Sequence, residues 1–549
     1  MAELITSLSL IFVFSAITLL VSEKLSQPAI PAYIVAGIAA GAFIEQSRLV
    51  DLAQVGIAFL VFIFGLKFDP EKLNSVETEA LTVNTLQVVL IGTLSYSFAE
   101  IIGLSFPQSA YFSIAATLSS SLVGLELLSE EVDKRLIHGR LAESINLIQD
   151  LFAIGAVILV SSPLFMPASI LLNLIYASGL FLSALVFRKS IFSSLASLAD
   201  GSDEMLMLLG LSVLTGFIAI SGYLGISIVI GSFAAGMAVA RFPHNLEMLE
   251  TMGSLKDFFS AIFFVTLGAL LSVPGPLALM LTFSLVMFNS LIKPGLMINS
   301  LIHQGYDPRT SFITGVSLDQ VSEFSLVIAI QAWITGIIVE PLFQAVVLSA
   351  TLTMTTSAYT RKYENRLFEF LERFNIVESS RDVMPESNFE ELEDHILLVG
   401  YDTQGKRIAE TLRKMEVEFA VIENDPEKIS ELTNRNLKYA YGNVMNSETW
   451  ELCDTEKAKL VISTAPFRMV SERILELEAD TEVILRSEKL DEARKLMEKG
   501  AIYVIVPEIL TAELIREHLL GLESEQNYAE ELRRRSLLEV RSYLESEDR

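Results

Sequence analysis

Cysteine is nearly absent from this chain: Cys453 is the one residue of its kind in 549. A lone thiol excludes an internal disulfide framework and reads as a packing residue. Histidine is almost as scarce, with five residues, and no two of them stand at metal-binding spacing. No nucleophile–base pairing accompanies them, so an enzyme is not expected. Basic side chains are outnumbered, 40 Lys and Arg against 67 Asp and Glu, for a formal charge of −27. That excess argues against nucleic acid as a partner. Charge of either sign makes up 19% of the chain, whereas 51% is hydrophobic and the mean hydropathy is +0.48. These values exclude disorder and an ordinary soluble enzyme, and they point to a polytopic membrane protein.

The apolar residues form 13 windows of bilayer-spanning length, from 4–22 to 336–358. The pair around 204–241 is divided only by Ser221-Gly222-Tyr223. The first window has no basic flank and no small-residue cleavage site, so it reads as a retained helix. With the N-terminus outside, the inner loops collect Lys24, Lys67, Lys72, Lys134, Arg135, Arg140, Arg188, Lys189, Arg241, Lys256, Arg309, Arg361 and Lys362. The outer loops hold only Arg48, which places the C-terminal part in the cytoplasm. Tyr33–Gly41 resembles Ile228–Gly236, and an odd number of crossings separates the two. That parity implies inverted repeats, the pattern of secondary transporters with a midplane site.

Asp150 lies near the middle of the run Leu141–Leu159, preceded by Gln149. A carboxylate there is costly unless an ion, a cavity or a partner compensates it, so Asp150 is the first candidate for a transported-ion site. Two windows are unsuited to continuous helices: one carries Thr117-Leu-Ser119-Ser120-Ser121, the other Gly315 through Asp319, Gln320, Glu323 and Phe324. Clustered hydroxyls and amides can satisfy a broken backbone and offer oxygen ligands to a hard monovalent cation; Ser-rich close packing is the alternative. Lys293 either snorkels to the inner surface or pairs with Asp150 or Asp319 when the cation is absent. Glu323 and Asp319 are further buried carboxylates.

Residues 361–392 are charged and helical in period, a linker helix, and the pattern then changes to short apolar runs alternating with amphipathic helices. His395–Val399 is a strand, Gly400-Tyr-Asp402-Thr-Gln-Gly405 a turn into a helix, and Phe419–Glu423 a second strand with an acidic end. Further runs at Leu460–Ser463, Glu482–Leu485 and Tyr503–Val506 complete a parallel α/β unit of Rossmann type. The turn is a dinucleotide fingerprint whose middle glycine is Asp402, and a carboxylate there repels phosphate. Glu423 stands where ribose hydroxyls would bind. Residues 516–549 are a highly charged helix.

These residues resemble a known family. Gln27-Pro28 with Ala36-Gly37-Ile38, Gly65-Leu66, Leu118–Ser121, Gly139-Arg140, Leu147–Asp150, Gly236, Gly268 and Gln320–Phe324 are similar to the Kef-type (potassium-efflux) monovalent cation:proton antiporters. Residues 393–515, through Asp394-His395, Gly400, Gly405, Glu423, Asp425-Pro426, Tyr441-Gly442, Arg486 and Pro507-Glu508, resemble the regulatory TrkA-N/RCK domain of such proteins. The resemblance implies an all-α membrane domain over 1–360, with crossed broken helices, and a cytoplasmic Rossmann-like domain. It further implies an elevator-type exchanger of the cell (inner) membrane, working as a homodimer in the bilayer. Asp150 would bind K+ and H+ by turns, with Gln149, Thr117, Ser119 and Ser120 around it and Lys293, Asp319 and Glu323 as charge partners. A Gln–Asp pair resembles the potassium-handling variant; a Na+/H+ antiporter is the alternative. An RCK-gated channel would need a filter loop such as Thr-Val-Gly-Tyr-Gly, which the sequence does not contain. No cofactor is expected for transport. A regulatory nucleotide, AMP/ATP or NAD(H), would bind at Gly400, Asp402, Gly405, Glu423 and Arg486, although Asp402 and Asn443 depart from the pattern of that domain.

Overall fold

A computed structural model of the chain divides into two compact units, Met1–Ser379 and Ser380–Arg549. The structure describes residues 2–25, 27–68, 78–121, 123–124, 137–160, 167–192, 203–240, 244–306, 308–373, 386–389, 392–442, 444, 447–466, 468–477, 481–524 and 532–534. Lys72, Lys134, Arg135, Arg241, Asn443 and most of the charged C-terminal stretch therefore lie outside the described residues.

The first unit is all helix among the described residues. In chain order its elements are α1 Ala2–Lys24, α2 Ala29–Gly41, α3 Gln46–Lys67, α4 Thr78–Ile101, α5 Phe106–Thr117, α6 Ile137–Val160, α7 Pro167–Phe187 and α8 Asp203–Leu224. They continue as α9 Ile228–Val239, α10 His244–Ala269, α11 Pro276–Met287, α12 Lys293–His303, α13 Pro308–Val316, α14 Glu323–Ile334, α15 Glu340–Lys362 and α16 Glu364–Arg373. Seven stretches among the described residues are long and apolar enough to cross a membrane, and helices of this unit leave Val13, Ile17, Leu20, Leu171, Ile175, Leu182 and Phe283 exposed. Apolar faces of that length are satisfied by lipid rather than by protein.

The helices pack as two sets. One holds α1, α2, α3, α7, α8, α9 and α10; the other holds α4, α5, α6 and α11 to α15. They meet chiefly where α15 touches α2 and where α6 touches α7 and α9. Inside the first set the packing is reciprocal. Gly37 and Gly268 bring the backbones of α2 and α10 into direct contact, and Gly65 and Gly236 do the same for α3 and α9. A Cβ on Gly37 would lie 2.0 Å from the Val265 carbonyl oxygen, and one on Gly236 would lie 2.1 Å from that of Phe62. Small residues permit this approach where no hydrophobic force drives helices together. The equivalent pair is thus Gly37 with Gly236, one helical turn from the Gly41–Gly236 register that sequence similarity suggests. Side-chain likeness between apolar helices does not fix register; the closest backbone approach does.

The linker helix expected over 361–392 is divided. Its part α16 lays Leu367, Phe368 and Leu371 on Ile298, Phe312 and Ile313 of the first unit. The short strand β1, Glu386–Ser387, belongs to the second unit, where it pairs antiparallel with Ala440 and Tyr441 at the sheet edge.

After β1 the second unit runs through β2 His395–Val399, α17 Thr403–Lys414, β3 Phe419–Glu423, α18 Pro426–Asn434, β4 Tyr439–Tyr441 and α19 Ser447–Glu451. Then follow β5 Ala458–Ser463, α20 Arg468–Leu475, β6 Glu482–Arg486, α21 Leu490–Glu498, β7 Tyr503–Ile505 and α22 Pro507–Ser524. The seven strands form one sheet of order β1-β4-β3-β2-β5-β6-β7, with every pair except β1–β4 parallel. The order reverses between β2 and β5, the switch point at which doubly wound sheets open a crevice.

Candidate functional site

Two helices of the second set are interrupted, and the interruptions touch. Helix α5 ends at Thr117, Leu118 is extended, and helical backbone resumes at Ser121. Helix α13 ends at Val316 and α14 begins at Glu323. The Ser119 hydroxyl donates to the Leu318 carbonyl across the crossing at 2.8 Å. Hydroxyls also restart the helices: Ser120 accepts from the Val123 amide at 3.1 Å, and Ser322 caps α14 through the Phe324 amide at 3.1 Å. Thr353 of α15 accepts from the Val321 amide at 3.1 Å. Backbone broken at this depth survives only with such internal partners.

Two glutamines supply the rest. Gln149 of α6 accepts from the Ser119 amide through Oε1 at 2.7 Å and donates through Nε2 to Gln87 Oε1 of α4 at 3.3 Å. Gln87 in turn donates to the Thr117 carbonyl at 2.9 Å. The pair replaces helical hydrogen bonds that the interruption of α5 removes.

Lys293 is fully buried and sits over both breaks. Its ammonium donates to Asn289 Oδ1 at 2.6 Å, to the Gln320 carbonyl at 3.1 Å and, at the edge of hydrogen-bond range, to the Leu118 carbonyl at 3.5 Å. It follows a π-helical turn, Phe288–Ile292, which together with Pro294 turns Asn289 and Lys293 to the same place. Lys293 therefore does not snorkel, and among the described residues its direct partners are an amide and two carbonyls rather than a carboxylate. Asp319 lies within its electrostatic reach and accepts a hydrogen bond from the Ser357 hydroxyl of α15.

Asp150 follows Gln149 on α6 and is hydrogen-bonded by Ser121, just past the α5 break. Glu323, fully buried at the start of α14, and Lys67, at the end of α3, lie within its electrostatic reach. Phe64 and Phe324, whose ring centroids are 4.5 Å apart, bring those two helix ends side by side. Thr117 spends its hydroxyl on the Ser113 carbonyl of its own helix at 2.7 Å. The candidates read from the sequence, Thr117, Ser119, Ser120, Gln149, Asp150, Lys293, Asp319 and Glu323, thus gather around one crossing. Ser121, of the same hydroxyl cluster, stands with them, and Gln87, Asn289 and Lys67 join them in space without having been singled out as site residues. Gln87 and Asn289 carry the signal that matters, a carboxamide inside an apolar window.

In the second unit, Gly400 has φ of +92°, which an L side chain rarely adopts, and a Cβ on Gly405 would lie 2.1 Å from the Gly400 carbonyl oxygen. Both glycines are thus explained by the turn itself. Glu423 is buried and accepts from the amides of Tyr401 at 2.7 Å, Asn424 at 2.9 Å and Asp425 at 3.1 Å. Burial nevertheless pushes its carboxyl above the usual range, against Lys428 and these amides. Lys428 of α18 pairs with Asp402 at 2.5 Å, 3.8 Å from Glu423 and 4.0 Å from Asp425. Burial would lower the Lys428 ammonium, but Glu423, Asp402 and Asp425 outweigh it and hold it above its ordinary value. Arg486 reaches the Thr464 carbonyl at 3.4 Å and Glu488 at 3.4 Å. The crevice at the β2–β5 switch point thus carries the buried carboxylate of Glu423. Beside it stands the paired Asp402–Lys428, and Lys428 is the positive group there that sequence reasoning overlooks.

Residues 10–362 match the family model described as sodium/hydrogen exchanger, transmembrane, and residues 396–507 match the TrkA-N domain. The chain belongs to the sodium/hydrogen exchanger family. It is 25% identical to a protein named as a cation/proton antiporter, YbaL of Escherichia coli strain K12, over 91% of this chain and 94% of that one. It is 23% identical to the glutathione-regulated potassium-efflux system protein KefC of another Escherichia coli strain, over 94% of this chain and 84% of that one. Among solved structures it is similar in fold to the sodium proton antiporter MjNhaP1 of Methanocaldococcus jannaschii. That match has a TM-score of 0.51 and 17% identity, covering 67% of this chain and 99% of that one. The protein is a multi-pass cation/proton antiporter with a TrkA-N regulatory domain and potassium-efflux relatives, a transporter rather than an enzyme.

Proposed function

We propose that this antiporter exchanges K+ for H+, and that cation and proton compete for the carboxylate of Asp150. The observation that carries this reading is the placement of Asp150 beside two touching helix interruptions, with the Ser121 hydroxyl on its carboxylate. Unwound backbone and hydroxyls there can replace part of a cation's hydration shell. Gln149, whose carboxamide is spent on Ser119 and Gln87, adds no second charge beside Asp150, so one cation balances one proton. Lys293 stabilises the carbonyl ends that the breaks expose, and Asp319 and Glu323 set the local field with it.

Alternating access follows the division of the helices, with α4, α5, α6 and α11 to α15 sliding as an elevator against the other set. A cavity of about 240 Å³, lined by Tyr111, Val157, Ser227, Val327 and Gln331 among others, lies between α5, α6, α14 and the start of α9, at the boundary of the two sets, and supports such a slip plane. The same reading takes 13 crossings, the N-terminus outside, residues 393–515 as a cytoplasmic regulatory domain, and a homodimer. A regulatory nucleotide would enter the β2–β5 crevice with Glu423 on its ribose and Lys428 supplying the positive charge that Asp402 opposes.

The test is proton flux in proteoliposomes driven by K+ and by Na+ in turn, with wild type and Asp150→Asn side by side. A K+ response lost in the variant is expected. A response to Na+ alone moves the ion choice to a Na+/H+ antiporter, and flux surviving in Asp150→Asn removes Asp150 from the role.

A further inference from the structure

Three carboxamides near Asp150 are buried without partners for some or all of their polar atoms. Asn146 is 2% exposed, Asn84 and Gln320 are 0% exposed, and among the described residues neither polar atom of either asparagine is hydrogen-bonded. The Gln320 Oε1 is likewise unpaired among them, while its Nε2 donates to the Ser317 carbonyl at 3.3 Å. A buried polar group without a partner is costly, so a cluster of them implies something that fills it.

The groups converge. A Cβ on Gly124 would lie 3.0 Å from the Ser317 carbonyl oxygen, 3.5 Å from Asn146 Nδ2 and 3.9 Å from Gln320 Oε1. One side of the point is therefore the continuation of α5, another the α13–α14 break, and the third is α6. Asn146 precedes Asp150 by four residues, so it lies on the same face, about 6 Å along the helix. Asn84 stands one turn from Gln87 on α4, and its neighbour Val83 shares an apolar cluster with Ile145 and Leu318. That contact brings Asn84 to the level of Asn146.

We infer that Asn146, Gln320, Asn84 and the Ser317 carbonyl form a second cation station, separate from Asp150, for a partly dehydrated monovalent ion. Its ligands are neutral: an amide turns its oxygen inward by a half-rotation of its terminal bond, and carbonyl oxygens replace hydration water for K+. No carboxylate is among these ligands, which disfavours a divalent ion. A cation held here approaches Asp150 along α6 without competing with the proton bound there. Such a station presupposes the exchange proposed above, and the following measurement separates the failure of one from the failure of the other.

Purified full-length protein is unfolded thermally in rising KCl, with choline chloride keeping the ionic strength constant. The forms compared are wild type, Asp150→Asn, Asn146→Leu and the double variant. Asp150→Asn is expected to keep a K+-dependent rise in Tm, and Asn146→Leu to remove that rise in the same background. In the wild-type background, Asn146→Leu should raise the KM for K+ in flux assays roughly tenfold, the loss of one good ligand. Asn84→Leu is read the same way should Asn146→Leu fail to fold. A wild-type K+ response that vanishes entirely in Asp150→Asn overturns the second station alone. So does an Asn146→Leu that is more stable with KM unchanged, the behaviour of empty amides replaced by an apolar isostere. No wild-type response to K+ or Na+, in Tm or in flux, overturns the exchange reading and the station with it.

Discussion

Gln149 is the residue at which a structural and an ion-binding role are most easily confused, and substitution separates them. Its Oε1 takes the Ser119 amide at 2.7 Å, and its Nε2 reaches Gln87, which holds the Thr117 carbonyl at 2.9 Å. Gln149→Leu strands the Ser119 N–H and the Gln87 oxygen inside the packed crossing. An orphaned buried donor costs about 1–3 kcal/mol, and the lost acceptor contact about 1 kcal/mol more. Gln149→Leu should therefore lower stability by roughly 2–4 kcal/mol. Gln87→Leu strands the Thr117 carbonyl and the Gln149 amide, and should cost a similar amount although it does not adjoin Asp150 in sequence or carry charge. Because both act on one chain of hydrogen bonds, the double variant should cost less than the two losses added. The assay is unfolding of the purified protein followed by proteoliposome flux on the same samples. Both single variants should lose transport in proportion to the distorted break. If Gln149→Leu abolishes exchange at unchanged stability while Gln87→Leu is silent, Gln149 acts on the ion and the staple reasoning is wrong.

Gly236→Ala forces a methyl group against the Phe62 carbonyl oxygen, 2.1 Å away, and Gly37→Ala does the same at Val265. Each should destabilise by about 1–3 kcal/mol or more, as overpacked contacts do, and unchanged Tm in detergent would remove the reciprocal crossing. Cys453 is fully buried, and burial pushes its thiol up to about 12, so a maleimide should label it only after unfolding; rapid labelling of native protein refutes this. The His395 ring donates through Nε2 to the Cys453 carbonyl at 3.0 Å, and burial lowers its pKa from 6.5, so the unfolded chain binds the proton more tightly. The stability this gives is present above about pH 6.5 and is lost as the pH falls toward the folded value. Thermal unfolding of the second unit's transition between pH 7 and 5 should therefore be less pH-dependent in His395→Gln, and an identical pH slope in the two forms counts against it. Lys428→Gln should weaken nucleotide binding by the full-length protein and Asp402→Gly should tighten it; the reverse order would deny Lys428 the phosphate end of the crevice.

Much of this arrangement is legible in the chain because membrane depth makes polar residues conspicuous. Asp150, the Thr117–Ser121 cluster and the Gly315–Phe324 stretch stand out as exceptions in apolar windows, and the structure interrupts helices at both clusters. The Rossmann-like unit follows from alternating runs and from glycines that the β2–α17 turn itself requires. What cannot be read are relations set through space. Sequence alone sends Lys293 to the inner surface or to a carboxylate, yet its nearest oxygens are Asn289 and two carbonyls, supplied by a break 175 residues earlier in the chain and another 27 residues later. Asp402 reads as a bare repulsive charge until α18 places Lys428 against it. The apolar stripe Leu367, Phe368, Leu371 is visible, but the high charge around it suggests a solvated linker rather than a helix docked on Phe312. In each case the sequence displays the group that needs a partner, and only packing decides which partner it has. The same logic makes Asn84, Asn146 and Gln320 informative. They are displayed, buried and, among the described residues, still short of partners once the helices have packed, which is the condition a transported ion is suited to meet.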